Sequence, residues 1–231
     1  MIRWLAESLV QQRLDQYQSV SLVGPLQCGK TTLAQMMGCL FFDLEQEDVR
    51  LRVDLEWDSL EQSRELVILD EAQSWPELFP RLRGAIDRNR KRIGRFLLLG
   101  SVSPSLMTQV SESLAGRLSL VELTPFLQSE LKNRTQRDAL WLYGGFPDGG
   151  VLQRDRFPRW QRDYLALLTQ RDLPNWGLSA RPQTTDRLLQ MLTAVHGHTW
   201  NASQIGQSLG LSYHTINSYM DYLSGAFLIR R

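Results

Sequence analysis

Gly24, Pro25, Leu26, Gln27, Cys28, Gly29, Lys30 and Thr31 form an unbroken G-x-x-x-x-G-K-T run, with Thr32 directly after it. This spacing suits a loop that wraps around phosphate oxygens. The glycines let backbone N–H groups point inward, Lys30 can reach the terminal phosphates, and the Thr31 hydroxyl can ligate Mg²⁺. Lysine is scarce in the chain, occurring only as Lys30, Lys91 and Lys132 against 23 arginines. A chance match is therefore on the order of a few in a thousand.

A second set of polar groups lies downstream. The apolar run Leu66-Val67-Ile68-Leu69 ends in Asp70 and Glu71. At the C-terminal end of a strand beside a phosphate loop, Asp70 can hold Mg²⁺ and Glu71 can act as general base on the attacking water. A surface acidic pair after a core strand is the plainer reading. The run Arg95 to Leu99 ends in Gly100-Ser101, which either offers Ser101 to the γ-phosphate and the lytic water or forms a simple strand-end turn. Arg117 is a candidate for stabilising charge on the transferring phosphoryl group, within one chain or across a subunit interface. A core-bracing or solvated arginine is the alternative.

These groups need a scaffold, and the first half of the chain supplies the pattern of one. Strands are expected at Val20–Val23, Leu40–Leu44, Leu66–Leu69, Arg95–Leu99 and Leu118–Leu123, with helical stretches between them. Continuous apolar runs of this length suit parallel strands buried on both faces. The expected fold class is α/β: a P-loop NTPase with a five-stranded, mostly parallel sheet and a helical, winged-helix-like C-terminal domain. The expected domains are an ATPase domain at 1–130, a helical connector at 131–183 and a winged-helix-like domain at 184–231.

Composition narrows the classes. The 231 residues carry 26 Lys plus Arg against 25 Asp plus Glu, a net charge of +1, so no global field points to nucleic acid or anionic membrane. The N-terminus lacks a secretory pattern and no run approaches 18 apolar residues, so a soluble cytoplasmic protein without membrane contact is expected. Cys28 and Cys39 are too few for a disulfide scaffold. His196 and His198 lack metal-ligating company, so apart from Mg²⁺ at Thr31 and Asp70 no metal is expected.

The C-terminal stretch matches a helix-turn-helix, with Asn201 and Ser212 as N-caps and Gly210 between the helices. Yet Ser212 to Leu223 contains no Lys or Arg and carries Asp221. It therefore brings no phosphate-neutralising charge, which favours packing over DNA binding. The densest cationic segment is Arg81, Arg83, Arg88, Arg90, Lys91, Arg92 and Arg95. It reads as a solvated face or as a grip on nucleic acid or an acidic partner.

Gly24 to Thr32, Leu69 to Gln73, Leu99-Gly100-Ser101, Ser113 to Arg117, Leu123-Thr124-Pro125-Phe126 with Glu130, and Gly144-Gly145-Phe146-Pro147 occur in this order. The ordered set, with Tyr164 to Leu173 after it, resembles a prokaryotic AAA-type ATPase family whose C-terminal domain has no assigned function. The resemblance spans nearly the whole chain. It implies ATP and Mg²⁺ as ligands and a P-loop sheet followed by a winged-helix-like module. It also implies hydrolysis coupled to movement of that module, and it leaves nucleic acid and a second copy of the chain as partners to consider. Nucleotide-regulated DNA binding and ATP binding with little turnover are the alternatives. Longer members continue into a nuclease-like module; this sequence ends at Arg231, so no nuclease activity is expected. Cys28 stands where other small residues are common.

Overall fold

The computed structural model describes residues 4–38, 40–100 and 114–230. Two compact units divide them, Met1–Phe157 and Pro158–Arg231. The segment expected as a connector, 131–183, is shared between the two.

In the first unit, α1 (Leu5–Leu14) precedes β1 (Ser19–Val23), and α2 (Lys30–Met36) follows the glycine-bracketed loop. Next come β2 (Leu40–Asp43), α3 (Glu47–Leu55), α4 (Trp57–Gln62), β3 (Val67–Asp70), α5 (Leu78–Arg88), β4 (Phe96–Leu99) and β5 (Leu118–Glu122). The strands form one sheet in the order β2-β3-β4-β1-β5. Every pairing is parallel, so the sheet is all-parallel rather than mostly so.

Strand burial explains the sequence pattern. β1, β3 and β4 are buried at every position, because helices cover both faces of the central strands. Successive side chains alternate between two apolar layers. Val67, Leu69, Phe96 and Leu98 face the layer holding Trp57, Phe79, Leu82 and Ile86 from α4 and α5. Ile68, Leu97 and Leu99 face the layer holding Val10 and Leu14 of α1 and Leu33 of α2. The edge strand β5 is less enclosed, with Leu120 47% exposed.

Every element of the second unit is helical among its described residues. Helix Arg159–Leu167 runs on through the π-helical turn Leu168–Asp172, and Pro182–Ala194, Ala202–Leu209 and Tyr213–Gly225 follow. The Asn201 side chain accepts from Gln204 N–H and the Ser212 hydroxyl accepts from Thr215 N–H, as the capping pattern requires. The helix-turn-helix pair is therefore formed. No strand of a wing accompanies it among the described residues. Among the described residues no helix is long and apolar enough to cross a membrane.

Candidate functional site

In a parallel sheet all strands end at one edge, and the chemistry collects there. β1 leads into the loop 24–29, β3 ends at Asp70, and β2 ends at Asp43, in register with Asp70. Close packing sets the loop's shape. Gly24 has φ 153°, and a Cβ there would lie 2.2 Å from the carbonyl oxygen of Leu123, at the end of β5. Gly29 has φ 106°, and its Cβ would lie 2.8 Å from the Trp4 ring. Both positions require glycine on conformational and spatial grounds.

Lys30 is buried, and its ammonium donates to the carbonyl oxygens of Gly24 and Pro25, at 3.0 Å each. The Thr31 hydroxyl donates to Asp70 Oδ2 at 2.8 Å, and Glu71 N–H donates to Asp70 Oδ1 at 3.0 Å. Glu71 itself has φ 51°, a left-handed conformation uncommon for glutamate, and it accepts a hydrogen bond from the Gln73 amide. Burial raises the Asp70 carboxyl above its ordinary range, and the charge of Asp43 adds to this against the Thr31 and Glu71 hydrogen bonds. Burial raises Glu71 as well, with the Asp70 charge second. Burial pushes the Cys28 thiol up despite the nearby Lys30 charge, which keeps it protonated and unreactive.

The raised Asp70 pKa has a sign that can be tested. A carboxyl whose folded pKa exceeds its unfolded value destabilises the fold wherever it is ionised, so stability falls as pH rises through those values. Asp70→Asn is therefore expected to stabilise the nucleotide-free, Mg²⁺-free protein at pH 7 by about 0.5–2 kcal/mol in urea unfolding. A destabilised variant would mean that the carboxylate's hydrogen bonds outweigh its desolvation.

Around this edge lies a cavity of about 420 Å³, lined by Leu26, Gln27, Gly29, Lys30, Thr31, Thr32 and Glu71 on one side. Trp4, Phe126, Pro147, Asp148 and Leu152 complete its walls. These five are absent from the sequence-based site set, although Phe126 and Pro147 belong to the ordered motifs. The two motifs meet physically, because Phe126 N–H donates to the carbonyl oxygen of Gly145 at 2.8 Å. A Cβ on Gly145 would stand 2.5 Å from the carbonyl oxygen of Phe126. A larger cavity, about 780 Å³, opens in the helical unit; its walls include Leu165, Ala166 and Gln170 of the Tyr164 to Leu173 stretch but no residue of the phosphate loop or of the Asp70-Glu71 pair.

The remaining candidates fall elsewhere. Ser101 lies outside the described residues. Arg117 is not brought to the loop. It immediately precedes β5, and its carbonyl accepts from Ser19 N–H at the start of β1, so it sits at the opposite edge of the sheet. There it grips Asp87 with two hydrogen bonds of 2.9 Å. The expected role on a transferring phosphoryl group is therefore unmet within one chain.

That pairing, with Arg90 beside it, holds the Asp87 carboxyl down at about 2. A depressed carboxyl stabilises the fold above its unfolded pKa, about 4, and that contribution is lost as pH falls toward 2. Asp87→Asn is thus expected to give a flatter acid titration by circular dichroism. Its stability should converge on wild type below about pH 2 and lie under it at neutral pH.

The same region accounts for the cationic segment. Arg81 pairs with Asp54, Arg88 with Glu61 and Arg90 with Asp87. Arg92 and Arg95 donate to the Glu61 carbonyl, and Arg95 is buried. Five of its seven cations thus hold partners on the protein, three of them carboxylates, so the fold itself occupies much of this segment.

Residues 16–132 match a family of AAA domains, just over half the chain. The chain belongs to this AAA family. Residues 134–231 of this AAA protein match a domain of unknown function. Uncharacterized proteins of Mycobacterium tuberculosis and Mycobacterium bovis are each 34% identical to it over 98% of the chain and 52% of the relative. The AAA protein thus spans about half the length of these relatives. Among solved structures, a Walker-type ATPase of Pyrococcus abyssi superposes with a TM-score of 0.60 at 15% identity, covering 98% of this chain and 90% of the other. That likeness extends the shared fold beyond the AAA domain. Nucleotide binding follows from the family.

Proposed function

We propose that the protein hydrolyses ATP with Mg²⁺ at the cavity beside the phosphate loop. The observation that carries this reading is the meeting of Lys30, Thr31, Asp70 and Glu71 at one sheet edge. The phosphates lie in the loop 24–29, where the ammonium of Lys30 exchanges the Gly24 and Pro25 carbonyls for phosphate oxygens. Thr31 and Asp70 present hard oxygen donors bridged at 2.8 Å, which suits a Mg²⁺ ion completed by phosphate and water. Bound there, Mg²⁺ would supply charge neutralisation at the phosphates.

Glu71 accepts the proton of the attacking water as it adds to the γ-phosphorus and the bond to the β-phosphate oxygen breaks. Burial makes its carboxylate a stronger base than an exposed glutamate, provided it is ionised. Products are ADP and inorganic phosphate. Arg117 has no part in this scheme within one chain.

Coupling to the helical unit has support in the connectivity. Pro147, Asp148 and Leu152 line the cavity, and the second unit begins at Pro158. A displaced cavity wall would pull on the helical unit through a few residues of chain.

The test is phosphate release from ATP by the full chain, with Mg²⁺ and with excess EDTA. Release with Mg²⁺ that EDTA abolishes is expected. Release equal in both, or no greater than that of Lys30→Ala, would overturn the reading.

A further inference from the structure

The cavity has one wall that the hydrolytic scheme leaves unused. Trp4 and Phe126 stack with ring centroids 5.2 Å apart and planes inclined by 21°. Both are buried, yet both line the cavity, together with Pro147 and Leu152. The Trp4 ring also rests on Gly29, so this apolar wall begins where the phosphate loop ends.

The Trp4 side chain is not held in place by a hydrogen bond of its own, because its indole N–H is buried without a partner. An orphaned buried donor is unfavourable, so the ring is there for its face. What fixes it is Glu130, 93% buried and more than a hundred residues away in sequence. Glu130 Oε1 accepts from Leu5 N–H at 2.7 Å and Oε2 accepts from Leu127 N–H at 2.8 Å. One carboxylate thereby fastens the residue after Trp4 to the residue after Phe126. Its two acceptor oxygens are matched to two backbone donors, an arrangement that an amide cannot reproduce.

We infer that Glu130 is a positioning residue that holds Trp4 against Phe126 as an aromatic wall for the base of the nucleotide, read by its face. This rests on the nucleotide reading of the phosphate loop proposed above. Stacking favours any base over none, so the wall discriminates a nucleoside triphosphate from a bare triphosphate chain.

The experiment compares binding of ATP and of inorganic tripolyphosphate, by calorimetry, to the wild-type chain and four variants. Wild type is expected to prefer ATP by about tenfold or more. Trp4→Ala should lose most of that preference while its affinity for tripolyphosphate stays within about threefold of wild type. Trp4→Phe, which keeps a ring and removes the orphaned donor, should regain much of it. Glu130→Gln should lose preference in the same selective way. ATP should alter tryptophan emission in wild type and not in Trp4→Phe.

Equal affinities of wild type for ATP and tripolyphosphate would overturn the proposal without any variant. So would equal losses of both ligands in Trp4→Ala and Glu130→Gln. If wild type binds neither ligand, or if Lys30→Ala binds both as wild type does, the phosphate-loop reading itself fails and the wall falls with it.

Discussion

Glu71→Gln is expected to lower ATP turnover by about 10²–10⁴-fold while ATP still binds, the loss typical of removing a general base. The amide keeps the size of the side chain and can still bond Gln73, so the left-handed turn at position 71 and the cavity wall should persist. It cannot take a proton from water. The pH profile adds a second readout. Burial and the Asp70 charge raise the Glu71 pKa, so the fraction of ionised base grows with pH through a range above that of an exposed glutamate. The acid limb of wild-type turnover should therefore lie above the ordinary glutamate range, and it should vanish from the residual activity of the variant. Steady-state phosphate release from pH 4 to 8, with ATP affinity measured in parallel, decides the matter. A loss smaller than about threefold would remove Glu71 from the chemistry.

Gly24→Ala should damage the fold as well as the site. The added methyl would stand 2.2 Å from the carbonyl oxygen of Leu123, a backbone atom that cannot swing aside. Leu123 N–H in turn donates to Val23 O at 2.7 Å, so moving that carbonyl disturbs the pairing of β5 with β1. A φ of 153° adds conformational strain. We expect a loss of about 2–4 kcal/mol in urea unfolding, together with loss of ATP binding. Gly38→Ala is the control, since its Cβ would meet nothing within 4 Å although its φ is also positive. A Gly24→Ala variant no less stable than Gly38→Ala would show that β5 yields easily.

The strands were legible because each central one is covered on both faces, which forces uninterrupted apolar runs such as Val67-Ile68-Leu69 and Phe96 to Leu99. The phosphate loop was legible because its glycines and lysine leave little room for another composition. Asp70 and Glu71 followed from their place at a strand's end. Arg117 shows where spacing misleads. Residue type alone suggested phosphate chemistry, whereas its place just before a parallel strand fixes it at the far edge from the loop. That clue was present in the sequence. The Trp4–Phe126 wall was not legible in the same way, because the residues that build it are joined by hydrogen bonds between segments more than a hundred positions apart. Asp43 was hidden for a related reason: only the register of β2 against β3 sets it beside Asp70.

The strand order β2-β3-β4-β1-β5 bears on how the chain is made. β1 leaves the ribosome before the other strands, yet it pairs with none of its near successors. Its partners begin at Phe96 and Leu118, some 75 and 100 residues later. At bacterial and eukaryotic synthesis speeds that is a wait of roughly 5–20 s, during which a strand destined to be buried at every position has two open edges. The β2–β3 pair can close first, and the phosphate loop gains its contact with Leu123, packed against Gly24, only once β5 has been made. A nascent chain halted before β5 should bind no nucleotide, so competence for the ligand marks completion of the sheet during translation.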